Sequence, residues 1–71
     1  MKTGVVKYFS MDSKYGFIIN DEDKKDVFVH LNELKRSCIN ELIKGDKVKF
    51  ELKTKDSKNY ASNIELITSS N

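Results

Sequence analysis

Three short stretches of this chain set aromatic rings beside lysines or histidine: Lys7-Tyr8-Phe9, Lys14-Tyr15-Gly16-Phe17 and Val27-Phe28-Val29-His30. Flat rings stack on nucleobases, every one of which has a π-face, and lysines hold the phosphates between the bases. If Val27 and Val29 face a core, the period of two along a strand turns Phe28 and His30 to solvent. By the same rule Tyr15 and Phe17 share a face that excludes Ile18, the natural core residue of that run. Tyr8 lies in the preceding apolar run, so three neighbouring strands are able to display Tyr8, Phe17, Phe28 and His30 as one patch. Leaving such rings in water forgoes roughly 1.5–3 kcal/mol of burial each, and an exposed apolar patch of this kind marks an interaction surface. Lys58, in the last turn, supplies one more charge. A single aromatic in a small β domain is more often core than platform. Phe50 shares a face with Val48 and Leu52 and belongs to the core, and Phe9 leans the same way.

Other chemistry finds little support. One cysteine and one histidine complete neither a disulfide nor a four-ligand zinc site, and no glycine-rich phosphate loop is present. Cys38 and His30 form a nominal nucleophile and base, but no oxyanion donor or orienting group is legible near them. Cys38 reads better as a small, partly buried apolar residue in a loop. The balance of 13 Lys and Arg against 11 Asp and Glu gives +2, too little to announce a nucleic-acid partner by itself. The charges are uneven: six of the acids fall in residues 21–43, led by Asp21, Glu22, Asp23 and Asp26. They read as solvated loop charges. A sharper expectation sets them away from the aromatic face, leaving that face positive.

The elements that must position these rings are short. A chain of 71 residues is one domain, and at this size only about 60% of the unfolded surface is buried. There is no proline and there are three glycines, so turns are read from Asp, Asn and Ser. They fall at Ser10 to Ser13, Asn20 to Asp23, Lys44 to Asp46 and Asp56 to Asn59. Between them lie five apolar or alternating runs: Val5 to Phe9, Tyr15 to Ile19, Val27 to Leu31, Val48 to Leu52, and Tyr60 to Leu66. Five close-spaced strands are the signature of a small all-β barrel. In the last run Tyr60, Ser62, Ile64 and Leu66 share one face and alternate with Ala61, Asn63 and Glu65. Residues 32–43 are ambiguous: Asn32 as an N-cap and Leu34, Cys38 and Leu42 at helical spacing allow a helix there. The domain is expected to occupy residues 1–67, with the small polar tail 68–71 frayed. The N-terminus lacks an apolar h-region and no run reaches membrane-spanning length, so a cytoplasmic, reducing setting is expected.

Ser13-Lys14-Tyr15-Gly16-Phe17-Ile18 and Val27-Phe28-Val29-His30-Leu31 resemble the two ribonucleoprotein-type motifs of bacterial cold-shock domains. Gly4 to Phe9 resembles that family's first strand, with Tyr8 where the family usually has Trp. Lys44-Gly45-Asp46-Lys47-Val48 resembles its fourth-strand entry, and Ala61-Ser62-Asn63-Ile64 its last strand. The likeness runs from about residue 3 to residue 66 in the family's order. An RNA-recognition-motif fold has the motifs reversed, with helices between them. The resemblance implies a five-stranded antiparallel OB-type Greek-key barrel, with at most a short helical turn near Asn32 to Lys35 in place of the longer helix. It implies binding of single-stranded RNA and DNA by base stacking and Lys–phosphate contacts, in an RNA-chaperone or transcription-antitermination role. No enzymatic activity, cofactor, metal, small-molecule substrate or membrane partner is implied, and a monomer is expected.

Carried over as contacts are Lys7, Tyr8, Phe17, Phe28 and His30, with Tyr15 and Phe9 nearby; the expected nucleic-acid-binding set also takes in Lys14 and Lys58, read from the residues themselves, and Leu31, Ile39 and Tyr60. The departures are at particular positions. Leu31 and Ile39 stand where the family commonly has stacking aromatics. Lys14 replaces a glycine, Ser13 a lysine, and Lys58-Asn59 a Gly-Pro turn. Tyr60 stands at a usually polar position and adds an aromatic at the edge. Two lost π-faces at about 1 kcal/mol each predict binding weaker than that of a relative with every ring. The alternative is that the same barrel serves as a protein-interaction module with weak or lost nucleic-acid binding.

Overall fold

The computed structural model describes residues 1–67, so the expected fraying of 68–71 lies outside the described residues. Five strands and one helix follow in order: β1 (Lys2–Ser10), β2 (Tyr15–Asn20), β3 (Asp26–His30), α1 (Leu31–Arg36), β4 (Lys47–Lys55) and β5 (Lys58–Leu66). The strands close into a barrel in the order β1-β2-β3-β5-β4. Four neighbouring pairs are antiparallel, and β3 meets β5 parallel at Phe28 and Tyr60. The expected antiparallel barrel is present, and its one parallel seam has a geometric reason. Strand directions cannot alternate all the way round a ring with an odd number of strands.

The inward positions are the β-branched and aromatic residues that the alternation singles out. Val6, Ile18, Val27, Val29, Val48, Phe50, Ala61 and Ile64 fill the barrel, and Leu34 and Leu42 complete its core. Phe9, Leu31, Ile39 and Leu52 pack against this core while remaining partly exposed. No helix among the described residues is long and apolar enough to cross a membrane.

Two bulges break the period of two. In β1, Val6 pairs with Ile18 and Tyr8 with Phe17, so Lys7 is an extra residue. In β5, Ser62 pairs with Glu51 and Glu65 with Lys49, which again leaves one residue over. Asn63, with φ 51°, takes the left-handed conformation there, one that asparagine tolerates better than most residues. The bulge shifts the alternation, so the expected shared face of Tyr60, Ser62, Ile64 and Leu66 does not form. Ala61 lies in the core opposite the partly buried Leu52, Tyr60 turns outward, and Leu66 is exposed.

The helix is short, as the resemblance implies, but its cap is His30 rather than Asn32. The His30 Nδ1 accepts the Asn32 N–H at 3.1 Å. At the other end the Ser37 N–H donates to the Glu33 and Leu34 carbonyls, and Cys38 turns left-handed at φ 59°. That reversal sends Ile39 back toward the core and leaves Cys38 exposed, against the expectation that Cys38 is partly buried. Two hydrogen bonds tie α1 and its C-cap to β5: the Ser62 Oγ donates to Glu33 Oε1 at 3.1 Å, and the Ile64 N–H to Ser37 Oγ at 3.0 Å.

Candidate nucleic-acid interface

Strand register builds the aromatic face. Tyr8 opposes Phe17, Phe17 opposes Phe28, and Phe28 opposes Tyr60, giving one row across β1, β2, β3 and β5. Tyr15 opposes His30 in a second row. Directly opposed residues on one face sit close enough to interact, and the rings of β1, β2 and β3 form a connected set. Tyr8 and Phe17 lie 5.7 Å apart between centroids and Phe17 and Phe28 5.9 Å, both edge to face. Tyr15 lies 5.6 Å from Phe28 and 6.2 Å from Phe17, and His30 lies 6.4 Å from Phe28. Edge-to-face contacts are worth about 0.5–1.5 kcal/mol each beyond burial, so the rings brace one another before any ligand arrives. Tyr8 and Tyr15 are exposed, while Phe17, Phe28 and His30 are half-buried.

Tyr8 owes its place to the β1 bulge, which turns Lys7 and Tyr8 outward together between inward Val6 and Phe9. Gly16 is needed beneath it. A Cβ there would lie 2.2 Å from the Tyr8 carbonyl oxygen and 2.7 Å from the Phe9 ring, so only glycine allows β1 and β2 to approach this closely. Phe9 therefore lies under the platform, packed against the core.

The remaining candidates separate into two places. Leu31 and Ile39 rest on the core and, with Met11, Lys35, Cys38 and Asn40, line a groove of about 400 Å³ that holds no aromatic ring. Lys58 and Tyr60 line a cleft of about 670 Å³ with Phe17, Phe28, Asp26, Lys55, Asp56 and Asn59. Lys14, left-handed at φ 68°, is exposed beside Tyr15, and its carbonyl accepts the Leu31 N–H at 2.9 Å.

The charges do not sort as the sequence suggests. Asp21 accepts hydrogen bonds from Lys47 and Thr3, and Glu22 pairs with Lys2. These lie at the end of the β1–β2 ladder remote from Tyr15. Asp26, however, sits on the aromatic face, where it accepts from the Lys7 ammonium at 3.1 Å. The expectation that the acidic segment keeps clear of this face fails there. The signal was present, since Asp26 precedes Phe28 by two residues and so shares its side of β3. Asp56, Lys55 and Asn59 were also missed, because their place beside the rings depends on how the β4–β5 turn leans. Lys14, Lys55 and Lys58 enter no ion pair among the described residues, whereas Lys7 does.

The His30 hydrogen bond fixes its chemistry as well. With Nδ1 accepting, the neutral ring carries its proton on Nε2, which leaves an N–H donor at the platform. Among the described residues no group of three or more His, Cys, Asp or Glu side chains is arranged to hold a metal ion.

A closed five-stranded barrel with a braced aromatic face, and with lysines at its edge that are unpaired among the described residues, defines an OB-type binding domain. Similarity to known proteins narrows the class. The 'Cold-shock' DNA-binding domain family matches residues 2–67. Probable cold shock protein y4cH of Sinorhizobium fredii is 39% identical over 67 residues, covering 92% of this chain and 97% of that one. Cold shock protein 1 of Lactiplantibacillus plantarum is 41% identical, covering 90% and 96%. Cold shock-like protein CspG of Escherichia coli is 36% identical, covering 87% and 89%. The solved structure of drosophila Unr CSD456 shares the fold at a TM-score of 0.75 and 23% identity, covering 96% of this chain and 27% of that one. The chain belongs to the cold-shock domain family, whose members are non-enzymatic nucleic-acid binders.

Proposed function

We propose that this protein binds single-stranded RNA and DNA by stacking bases on Tyr8, Tyr15, Phe17, Phe28 and His30, with Lys7, Lys14 and Lys58 on the phosphates. It then acts as a passive RNA chaperone or antiterminator. The observation that carries the reading is the unbroken set of ring contacts across β1, β2 and β3 on an exposed face. Stacking on such a face captures bases that fluctuate out of a duplex, and the stacking free energy offsets the cost of unpairing. No nucleotide hydrolysis enters. Because stacking accepts every base, sequence preference is modest. Affinity falls with salt, with a slope of about −0.7 per phosphate neutralised on a single strand. The aliphatic side chains of Leu31 and Ile39 make binding weaker than on a platform with rings at both positions.

Phe28 is the central test, since it touches Tyr15, Phe17 and His30 while Val27 and Val29 carry the core of β3. Phe28→Ala is expected to weaken binding of a labelled oligothymidylate by more than about threefold, from the low end of base stacking. Fluorescence anisotropy measures it, and an unchanged titration in a folded variant rejects the stacking mechanism.

A further inference from the structure

Leu31 and Ile39 leave one end of the aromatic face without rings, and Tyr60 adds a ring at the other. Its outward direction is forced by packing, because Ala61 next to it is fully buried opposite Leu52. Tyr60 is the register partner of Phe28. Yet among the described residues it joins none of the ring pairs that link Tyr8, Tyr15, Phe17, Phe28 and His30. Instead Phe17, Phe28 and Tyr60 line the open cleft of about 670 Å³, bounded by Asp26 and by Lys55, Asp56, Lys58 and Asn59 of the β4–β5 hairpin.

We propose that Tyr60 gives this cleft a second stacking wall and makes it a nucleobase subsite closed by rings on two sides. One base of the bound strand stacks against Phe28 and Tyr60, its phosphates lie on Lys55 and Lys58, and the strand's path is displaced toward the β4–β5 hairpin, away from the Leu31 and Ile39 groove. This rests on the single-strand reading above and deepens it. The volume falls within the roughly 300–1,000 Å³ of small-ligand sites. The aromatic walls suit a base plane. Asp26, Asp56 and Asn59 at the rim offer acceptors, and Asn59 a donor, to the base edges. The two lysines beside the rings are in no ion pair among the described residues, so a phosphate meets them without displacing a partner. The cleft is continuous with the braced rings through Phe17 and Phe28.

The test uses the full chain and a labelled oligothymidylate. Tyr60→Ala is expected to weaken binding at least about fivefold and Tyr60→Phe less than about twofold, if a whole base stacks there. Combined Leu31→Ala and Ile39→Ala changes are expected to weaken it less than Tyr60→Ala does. Replacing Lys55 and Lys58 by Gln is expected to flatten the salt dependence by about 0.7 for each phosphate no longer neutralised. Photocrosslinking of the unaltered protein to an iodouracil-bearing strand, mapped by mass spectrometry, is expected to mark Tyr60 or Phe28, and it needs no variant to fold. A folded Tyr60→Ala variant within about twofold of the parent, beside a weakened Phe28→Ala, overturns the subsite and leaves the stacking reading standing. No loss in either variant overturns both.

Discussion

His30 performs two tasks with different atoms. Its ring adjoins Phe28 on the platform, and its Nδ1 caps α1 through the Asn32 N–H. Substitution separates the two. Asparagine is among the best N-caps but has no ring, so His30→Asn should keep the thermal midpoint and lose oligonucleotide affinity. Phenylalanine keeps a ring and removes the acceptor. His30→Phe should therefore retain affinity and lose about 0.5–2 kcal/mol of stability, the usual worth of a cap, read by urea denaturation. If His30→Phe keeps the full stability of the parent, the cap contributes nothing. The ring task was legible in the sequence, because Val27 and Val29 left Phe28 and His30 only one side of the strand. The capping task was not, since Asn32 is the stronger N-cap by residue type and the strand's end at His30 decides the matter. Phe9 leans to the core by its type, and the extra residue at Lys7 turns it that way, packed against the core while partly exposed.

The β4–β5 hairpin is the element whose conformation fits its sequence least well. Lys55 pairs with Lys58 across a two-residue loop, and both loop residues are left-handed, Asp56 at φ 52° and Ser57 at φ 65°. Two positive φ angles define a type I′ turn, which favours Asn-Gly or Asp-Gly. Serine in that conformation is strained, by about 1–2 kcal/mol before the extra unfolded-chain entropy of glycine is set against it. Ser57→Gly should therefore raise stability by about 0.5–1 kcal/mol, seen as a higher urea midpoint with an unchanged slope. A lower midpoint would show that the hydroxyl or the stiffer chain matters more. This turn was located from the sequence by its Asp and Ser, as were all five strands, because turn chemistry and alternation act over a few residues. What stayed hidden was the register between strands. A period-of-two reading assumes an unbroken strand, and one left-handed residue at Asn63 moves Tyr60 off the side of Ile64 and Ala61 onto it. The parallel seam between β3 and β5 was equally hidden, since it follows from closing the ring and not from either strand alone.

Across the whole molecule, the net charge of +2 conceals a division of labour. At the end of the barrel remote from Tyr15, Asp21 and Glu22 are held by Lys47, Thr3 and Lys2, while Lys14, Lys55 and Lys58 stay unpaired near the rings, among the described residues. The hydrogen bonds from Lys47 and then Thr3 hold the Asp21 carboxyl below the usual carboxylate range. At the same end, the hydrogen bond to Glu22 raises the Lys2 ammonium above its ordinary value. The signs follow from linkage. Folding favours the ionised Asp21, so its contribution is complete above the ordinary carboxylate range and is lost as pH falls through the lowered folded value. Folding favours the charged Lys2, so its contribution is complete below the ordinary lysine value and is lost as pH rises through the raised one. Stability should form a plateau between these limits. Exposed pairs are weak and screened by salt, so the effect is a change of slope more than of height. Asp21→Asn keeps the shape of the side chain and removes its titration. In thermal midpoints taken from neutral pH into acid at low salt, the variant should start slightly below the parent and fall less steeply, so that the two curves converge. Added salt should shrink the difference at neutral pH. Parallel curves across the acid range would mean that Asp21 is no better held in the folded chain than in the unfolded one.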